Sequence, residues 1–225
     1  MRPGYGDLTH GDSVQVATAG VIMARLTFCP RCAERLTVRH EGGRDRQACP
    51  DTACGYVHFG DFSIGCSGVV LRELDGEVRA LLIQRGQAPY AGTWQLPGGY
   101  AEHDELLAAA VEREVREEAA VTARFRDVVG FRHMVVGPST NVYIICRLDY
   151  VAGEPACDGV ETAAAGFYSL AEMDAMDGVQ GISKWGIRHA LSTPPGSGLS
   201  VDENGSDNRW QMFGLADVDP AHWRG

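Results

Sequence analysis

Lysine is almost absent from this chain: one residue, Lys184, stands among twenty basic side chains in 225 residues. Basic residues as a whole are outnumbered, 20 against 30 acidic, for a formal net charge of −10 with neutral histidines. A general nucleic-acid binder works through a positive surface, so this balance argues against one. No apolar run approaches the ~18 residues that a membrane-spanning helix needs. The first 22 residues hold a single basic residue, Arg2, among several polar ones. They read as a flexible extension, with Met23 as a natural start, and not as a secretory signal, so the expected compartment is the cytoplasm. Seven cysteines in such a protein are not read as a disulfide framework. What is abundant is apolar: 44% hydrophobic residues suffice for a core, and 22% charged residues are too few for a disordered acidic chain. Glycine is also frequent, at 28 residues. Part of that excess lies in the last thirty-odd positions, which are expected to be loose.

The texture changes along the chain in four steps: an extension at 1–24, a short cysteine-punctuated module at 25–60, a larger domain at 61–192, and a Gly/Ser/Asp-rich tail at 193–225. Within the module, 36–40 and 56–59 read as short strands. From Phe62 the runs 62–73 and 78–85 are rich in β-branched residues and joined by Leu74, Asp75 and Gly76, a hairpin signal. Residues 92–100 read as a loop with tight-turn chemistry at Pro97, Gly98 and Gly99. The stretch 105–119 lacks Gly and Pro and is full of Ala, Leu, Glu and Arg, which predicts a helix with Asp104 as its N-cap. Strands are predicted at 124–136, 141–150 and 166–170, and helices at 170–176 and 182–191. Strands and helices mixed around one central helix indicate an α/β or α+β sandwich. Cys66 and Cys146 lie in apolar runs and read as small buried residues. Cys157 lies in a Gly/Pro-rich loop and has no evident partner.

Cys29, Cys32, Cys49 and Cys54 form two pairs, CPRC and CPDTAC, separated by sixteen residues. Four thiolates converging from two short knuckles suit a tetrahedral Zn²⁺, and the spacing suits a zinc ribbon. Without metal, so short a segment has almost no core to hold it. Six arginines against Glu34, Glu41, Asp45 and Asp51 give the module +2, which a zinc with four thiolates brings to zero. A strongly cationic nucleic-acid reader is therefore not favoured.

The window 99–121 contains seven acidic residues and two bases, Arg113 and Arg116, for a net of −5. On a helix, Glu114, Glu117 and Glu118 fall within one arc of ~100°. Three carboxylates on one face repel each other unless a cation sits among them. As hard oxygen ligands they suit Mg²⁺ or Mn²⁺ bridging a phosphate. Arg113, four residues before Glu117, can neutralise and orient a neighbour. Charge pattern alone favours a solvated acidic face.

The spacing Gly99, Glu105, Arg113-Glu114-Val115, Glu117-Glu118 and Val121 resembles the Nudix box, GX5EX7REUXEEXGU, and WQLPGG at 94–99 resembles the usual approach to it. One fixed position departs: Ala120 stands where the box has glycine, near the helix end, where a methyl costs stability if φ is positive but removes no ligand. The resemblance implies an α/β/α sandwich with a mixed sheet, preceded here by the small zinc-ribbon module. It implies that Glu114, Glu117 and Glu118, helped by the backbone carbonyl of Gly99, bind Mg²⁺ or Mn²⁺. It implies that Arg113 and Glu105 pair to hold the loop–helix–loop in shape. The implied reaction is hydrolysis of a diphosphate linkage in a nucleotide, a small-molecule substrate, with Glu118, Glu117 or Glu161 of a later loop as the base. His103 and His133 are near the box but read as surface or supporting residues.

A zinc ribbon before such a domain is similar to the NADH pyrophosphatases and to a looser set acting on ADP-ribose, FAD or related dinucleotides. The SQPWPFPxS-type segment of the first group is missing, so dedicated NADH cleavage is disfavoured. Pro138, seventeen residues past Val121, lies close to a proline of ADP-ribose enzymes. Tyr90, Phe131, Tyr143 and Trp185 are candidates for a base-binding pocket, with core packing as the alternative for each. Two other readings are hydrolysis of a nucleoside triphosphate or a specialised biosynthetic diphosphate, and a non-catalytic nucleotide-sensing or RNA-associated module. The resemblance also makes a homodimer plausible. The roles of Trp210, Phe213 and Trp223 in the tail are open.

Overall fold

The computed structural model describes residues 26–136 and 139–201, with Glu203, Ser206, Gln211 and residues 213–215. The extension at 1–24, Pro138, Trp210 and Trp223 lie outside the described residues. The chain divides into two compact units, one up to Gly60 and one from Asp61.

In the first unit, β1 (Thr37–Glu41) and β2 (Arg44–Ala48) form an antiparallel hairpin. Gly42 and Gly43, both with positive φ, supply its two-residue turn. The strand expected at 56–59 is corrected: that segment makes only a single bridge, Val57 to Ala48, and the partner strand is the polar stretch β2. Its arginines hid it from a reading based on apolar alternation.

The second unit contains β3 (Asp61–Leu74), β4 (Glu77–Arg85), β5 (Trp94–Gln95), β6 (Gly98–Tyr100), α1 (Leu107–Ala119), β7 (Thr122–Val136), β8 (Ser139–Ala152), β9 (Thr162–Tyr168), α2 (Leu170–Ala175), α3 (Gly181–Ser192), β10 (Leu199–Val201) and β11 (Phe213–Leu215). The sheet order is β11-β10-β7-β8-β3-β4-β5, with β6 on β3 and β9 on β4. It is mixed: β3 runs parallel to β8, and the other pairs are antiparallel. The β3–β4 turn is Asp75-Gly76, both at positive φ.

Both faces of the sheet are covered, which explains why its central strands read as continuous apolar runs. Cys66, Val70, Leu81, Ile83, Cys146 and Leu148 point to one side, against Val111, Val115 and Ala119 of α1. Their neighbours Val69, Leu82 and Ile145 point to the other, against Met173 of α2 and Ile187 and Ala190 of α3. Each fully buried aliphatic contributes roughly 1.5–3 kcal/mol. The close approach of α1 depends on Gly68, where a Cβ would sit 2.6 Å from Val115 Cγ2. Cys66 and Cys146 are fully buried, and Cys157 is exposed. Among the described residues no helix is long and apolar enough to cross a membrane.

Three further expectations are corrected. Helix α1 begins at Leu107 with Leu106, not Asp104, as N-cap, and the cap makes no side-chain hydrogen bond. Glu105 cannot join the helix because its carboxylate accepts from the Glu102 amide, 3.0 Å, and holds residues 102–105 in a turn. The 92–100 loop contains β6, where Gly98 and Gly99 pair with Ser67 and Cys66. A Cβ on Gly98 would run into the Cys66 carbonyl, so the glycine serves a close backbone approach and not a turn. The tail is not uniformly loose: β10 pairs with β7 and with β11, and Phe213 packs edge-on against Phe125 with 5.8 Å between ring centroids.

Candidate active site and cysteine cluster

Helix α1 presents its carboxylates where β6 passes its flank. Arg113 organises them. Its Nη2 and Nε donate to the two oxygens of Glu105 at 2.7 and 3.0 Å, a two-pronged contact that fixes the guanidinium plane. Its Nη1 donates to Glu114 Oε1 at 2.9 Å and to Glu117 Oε2 at 3.0 Å, and Nη2 also reaches the Tyr100 carbonyl at 3.3 Å. One cation therefore ties the loop before α1, β6 and two helix carboxylates together. The Arg113 contacts hold the Glu105 carboxyl below the usual carboxylate range.

Glu118 faces inward and is 7% exposed. Its Oε2 accepts the Gly98 amide at 2.6 Å. Burial pushes its carboxyl up to about 7; the Gly98 amide and Arg85 oppose that shift, and the charges of Glu114 and Glu161 add to it. Burial likewise raises Glu114, against the pull of Arg113. Gly99 is needed beside it: a Cβ there would stand 2.6 Å from Glu114 Oε1. Backbone and carboxylate thus share one small space, which suits a ligand pair formed by the Gly99 carbonyl and Glu114.

Glu161 lies just before β9. Its amide donates to Asp158 Oδ1 at 3.0 Å, its carbonyl accepts from Gly86 at 2.7 Å, and its charge is felt by both Glu114 and Glu118. Sequence reasoning passed over its neighbours. Asp158 Oδ1 also accepts the Val160 and Thr162 amides, each at 2.9 Å, and these hold its carboxyl below the usual range. The fully buried Thr162 places its hydroxyl 3.1 Å from the Glu118 carbonyl. The Asp158-Gly159 pair, with the aspartate carboxylate accepting the amide two residues on, is the signal of an Asx turn that was there to be read.

The fit of a divalent cation follows from this donor set: hard oxygens, two of them on carboxylates that burial makes costly to ionise without a positive charge nearby. Arg113 Nη1 lies between Glu114 and Glu117, while Glu118 is turned to Gly98. Among the described residues, the cysteines are the one group of three or more His, Cys, Asp or Glu side chains whose ligand atoms converge; Glu114, Glu117 and Glu118 are not brought together in that way. The sulfurs of Cys29, Cys32, Cys49 and Cys54 all lie within 4.8 Å of one another, with 3.7 Å between Cys29 and Cys54 and 3.5 Å between Cys32 and Cys49. A tetrahedron with metal–sulfur distances of 2.3 Å has an edge of about 3.8 Å. The Arg31 amide donates to Cys29 Sγ at 3.4 Å, as knuckle backbones do.

The four aromatic candidates are spread over different places. Tyr90 is exposed in the β4–β5 loop. Phe131 is exposed on β7, paired with Ile144, whose side chain packs on the α1 side of the sheet. Tyr143 and Trp185 belong to the α3 side: Tyr143 packs over Gly65, and Trp185 lies on Gly130 and stacks with His189 at 4.1 Å between centroids. His103 and His133 are both exposed. A cavity of about 410 Å³ lies elsewhere, between α1, β7 and the C-terminal segment.

The model of the NUDIX domain matches residues 65–186, just over half of the chain. The chain is 32% identical over 113 residues to "Nudix hydrolase 8" of Arabidopsis thaliana, covering 48% of this chain and 30% of that protein. It is 30% identical over 110 residues to an "ADP-ribose pyrophosphatase" of Methanocaldococcus jannaschii, covering 48% of this chain and 62% of that one. It thus spans less than two thirds of either protein. A crystal structure of a NUDIX hydrolase from Nitrosomonas europaea superimposes with a TM-score of 0.61 at 22% identity, covering 74% of this chain and 91% of that one, a likeness of fold.

Proposed function

We infer an activity from one premise: the chain belongs to the NUDIX domain family. The reading is that of a hydrolase that splits the diphosphate linkage of a nucleoside diphosphate derivative, with ADP-ribose or a related dinucleotide as the substrate class. One observation carries it, the single guanidinium of Arg113 that aligns Glu105, Glu114 and Glu117 on the flank of β6, with Glu118 buried beside them. The likeness to the Methanocaldococcus jannaschii ADP-ribose pyrophosphatase supports the substrate class.

Glu114, Glu117, Glu118 and the Gly99 carbonyl would hold Mg²⁺ or Mn²⁺, which supplies charge neutralisation at the phosphate oxygens and a more acidic water. Arg113 and Glu105 keep the helix carboxylates in register with β6. Water adds to one phosphorus as the bridging P–O bond breaks, and two monophosphates leave. The proton of that water goes to a carboxylate, Glu118 or Glu161. Glu118 is already tuned upward by burial, and the charge of Glu161 reaches both Glu118 and Glu114. Cys29, Cys32, Cys49 and Cys54 would hold one structural Zn²⁺.

The test is turnover of ADP-ribose, NADH, FAD, dinucleoside polyphosphates and nucleoside triphosphates with millimolar Mg²⁺ or Mn²⁺, followed by product analysis. AMP and ribose 5-phosphate from ADP-ribose are the expected products. Release of inorganic pyrophosphate from triphosphates alone would move the assignment to nucleoside triphosphates. Nucleotide binding without any product would make the protein a sensor.

A further inference from the structure

Helix α1 opens poorly. Its N-cap, Leu106, offers no side-chain acceptor, so the amides of the first turn look for partners elsewhere. The Ala108 amide finds one 103 residues away, at the Oε1 of Gln211, 3.3 Å distant. Gln211 lies between β10 and β11, in a part of the chain beyond the 65–186 stretch that the family model matches.

That part is fastened to the body by buried charge. Asp127 and Arg147, paired across β7 and β8, are 0% and 3% exposed. Arg147 Nε donates to Asp127 Oδ1 at 3.1 Å, and its Nη1 and Nη2 donate to the carbonyl and hydroxyl of Thr193 at 2.9 and 3.0 Å. Asp127 Oδ2 accepts the amides of Gly196, 2.6 Å, and Gly198, 3.2 Å. A buried ion pair is a costly way to hold two strands together, since apolar residues of the same size do so at least as well. Here the other hydrogen bonds of the pair go to Thr193, Gly196 and Gly198. Beyond them Leu199 pairs with Val128, and Phe213 docks edge-on against Phe125.

We propose that residues 193–201, Gln211 and residues 213–215 act as a strap against the open end of α1, and that Gln211 is a positioning residue for the carboxylate set. The link is short. Helix α1 starts two residues after Glu105, and Glu105 holds the fork of Arg113, whose other nitrogen holds Glu114 and Glu117. Fraying of the first turn releases the Glu105 end of that fork. The proposal rests on the reading above that these carboxylates hold a divalent cation.

The test uses the full chain and its Gln211→Ala and Gln211→Glu variants. Two readouts are taken without substrate: amide exchange in the first turn of α1, and Mn²⁺ binding by electron paramagnetic resonance. Loss of a helix cap predicts roughly fivefold faster exchange at Ala108 and its neighbours in Gln211→Ala. Mn²⁺ binding should weaken by about two- to fivefold, the share of that loosening which reaches Arg113. Gln211→Glu keeps the acceptor and adds a negative charge at the positive helix end, so both values return to those of the parent. Exchange equal to the parent's in Gln211→Ala overturns the strap. Faster exchange with unchanged Mn²⁺ binding overturns the positioning role and leaves a cap alone. A parent protein that binds no Mn²⁺ overturns the reading of the carboxylates and the positioning role together, while the exchange comparison still decides the cap.

Discussion

The Gly98 amide points at the Glu118 carboxylate from 2.6 Å, where β6 lies against α1. A single hydrogen bond does not offset the cost of burying this charge, and the carboxyl rests at about 7. A folded-state value above that of the unfolded chain means that the protonated acid favours the folded state. The benefit is complete below the ordinary carboxylate range and disappears as pH rises through 7. Metal-free protein should therefore lose roughly 1–3 kcal/mol from this group between pH 5 and pH 8. Glu118→Gln should flatten that dependence while abolishing turnover. Urea melts in a chelator across this pH range measure it, and parallel slopes for parent and variant would sink the argument.

Arg113 reaches three carboxylates and a carbonyl with a planar fork that lysine cannot imitate. Arg113→Lys keeps the charge and loses the geometry. Stability should fall by about 1–2 kcal/mol and turnover by about 10- to 100-fold, with substrate KM nearly unchanged. If charge alone mattered, the lysine variant would retain most of its kcat. Steady-state kinetics at saturating metal separate the two outcomes.

What the sequence made legible was local. Glu105, Arg113, Glu114, Glu117 and Glu118 lie in one turn and one helix, so their spacing carries their geometry. The alternation that hid two sheet faces in one apolar run was legible as strand too. The misses have a common cause. Gly98 to Glu118, Thr162 to Glu118 and Gln211 to Ala108 are contacts across 20, 44 and 103 positions, and no periodicity announces them. Asp104 looked like a cap because it preceded a helical run. The turn closed by Glu105 moved the true start past it. In β2, arginines occupied a strand whose partner is another polar strand, so no apolar pattern existed to be read.

The cysteine cluster makes a separate prediction. Four sulfurs at tetrahedral spacing in a small unit suit a bound metal ion that offsets their crowding, and Zn²⁺ is the ion proposed for them. Replacing Cys29 and Cys32 with serine should remove one zinc per chain, read by elemental analysis of metal-extracted and reloaded protein. It should also make residues 26–60 sensitive to protease. An unchanged zinc content would remove the assignment.

Ala120 ends α1 in the left-handed region, at φ 56° and ψ 19°, with its amide on the Arg116 carbonyl at 3.0 Å. This is the position where the box has glycine, and the methyl group gains nothing there: its Cβ strains against the backbone that this conformation imposes. The helix still ends here because the chain beyond it is fixed. The Ala156 amide takes the Ala119 carbonyl at 3.0 Å, and a Cβ on Gly153 would crowd the Ala120 carbonyl at 2.5 Å. Ala120→Gly should therefore raise stability by about 1 kcal/mol, the left-handed penalty less the entropy that glycine adds to the unfolded chain. For a unit of this size that is a rise of roughly 2–4 °C in Tm. Turnover should stay within about twofold of the parent, because the substitution touches no carboxylate and leaves the Arg116 contact in place. A variant that melts lower would show that the surrounding loop, and not the conformation of residue 120, sets the end of the helix.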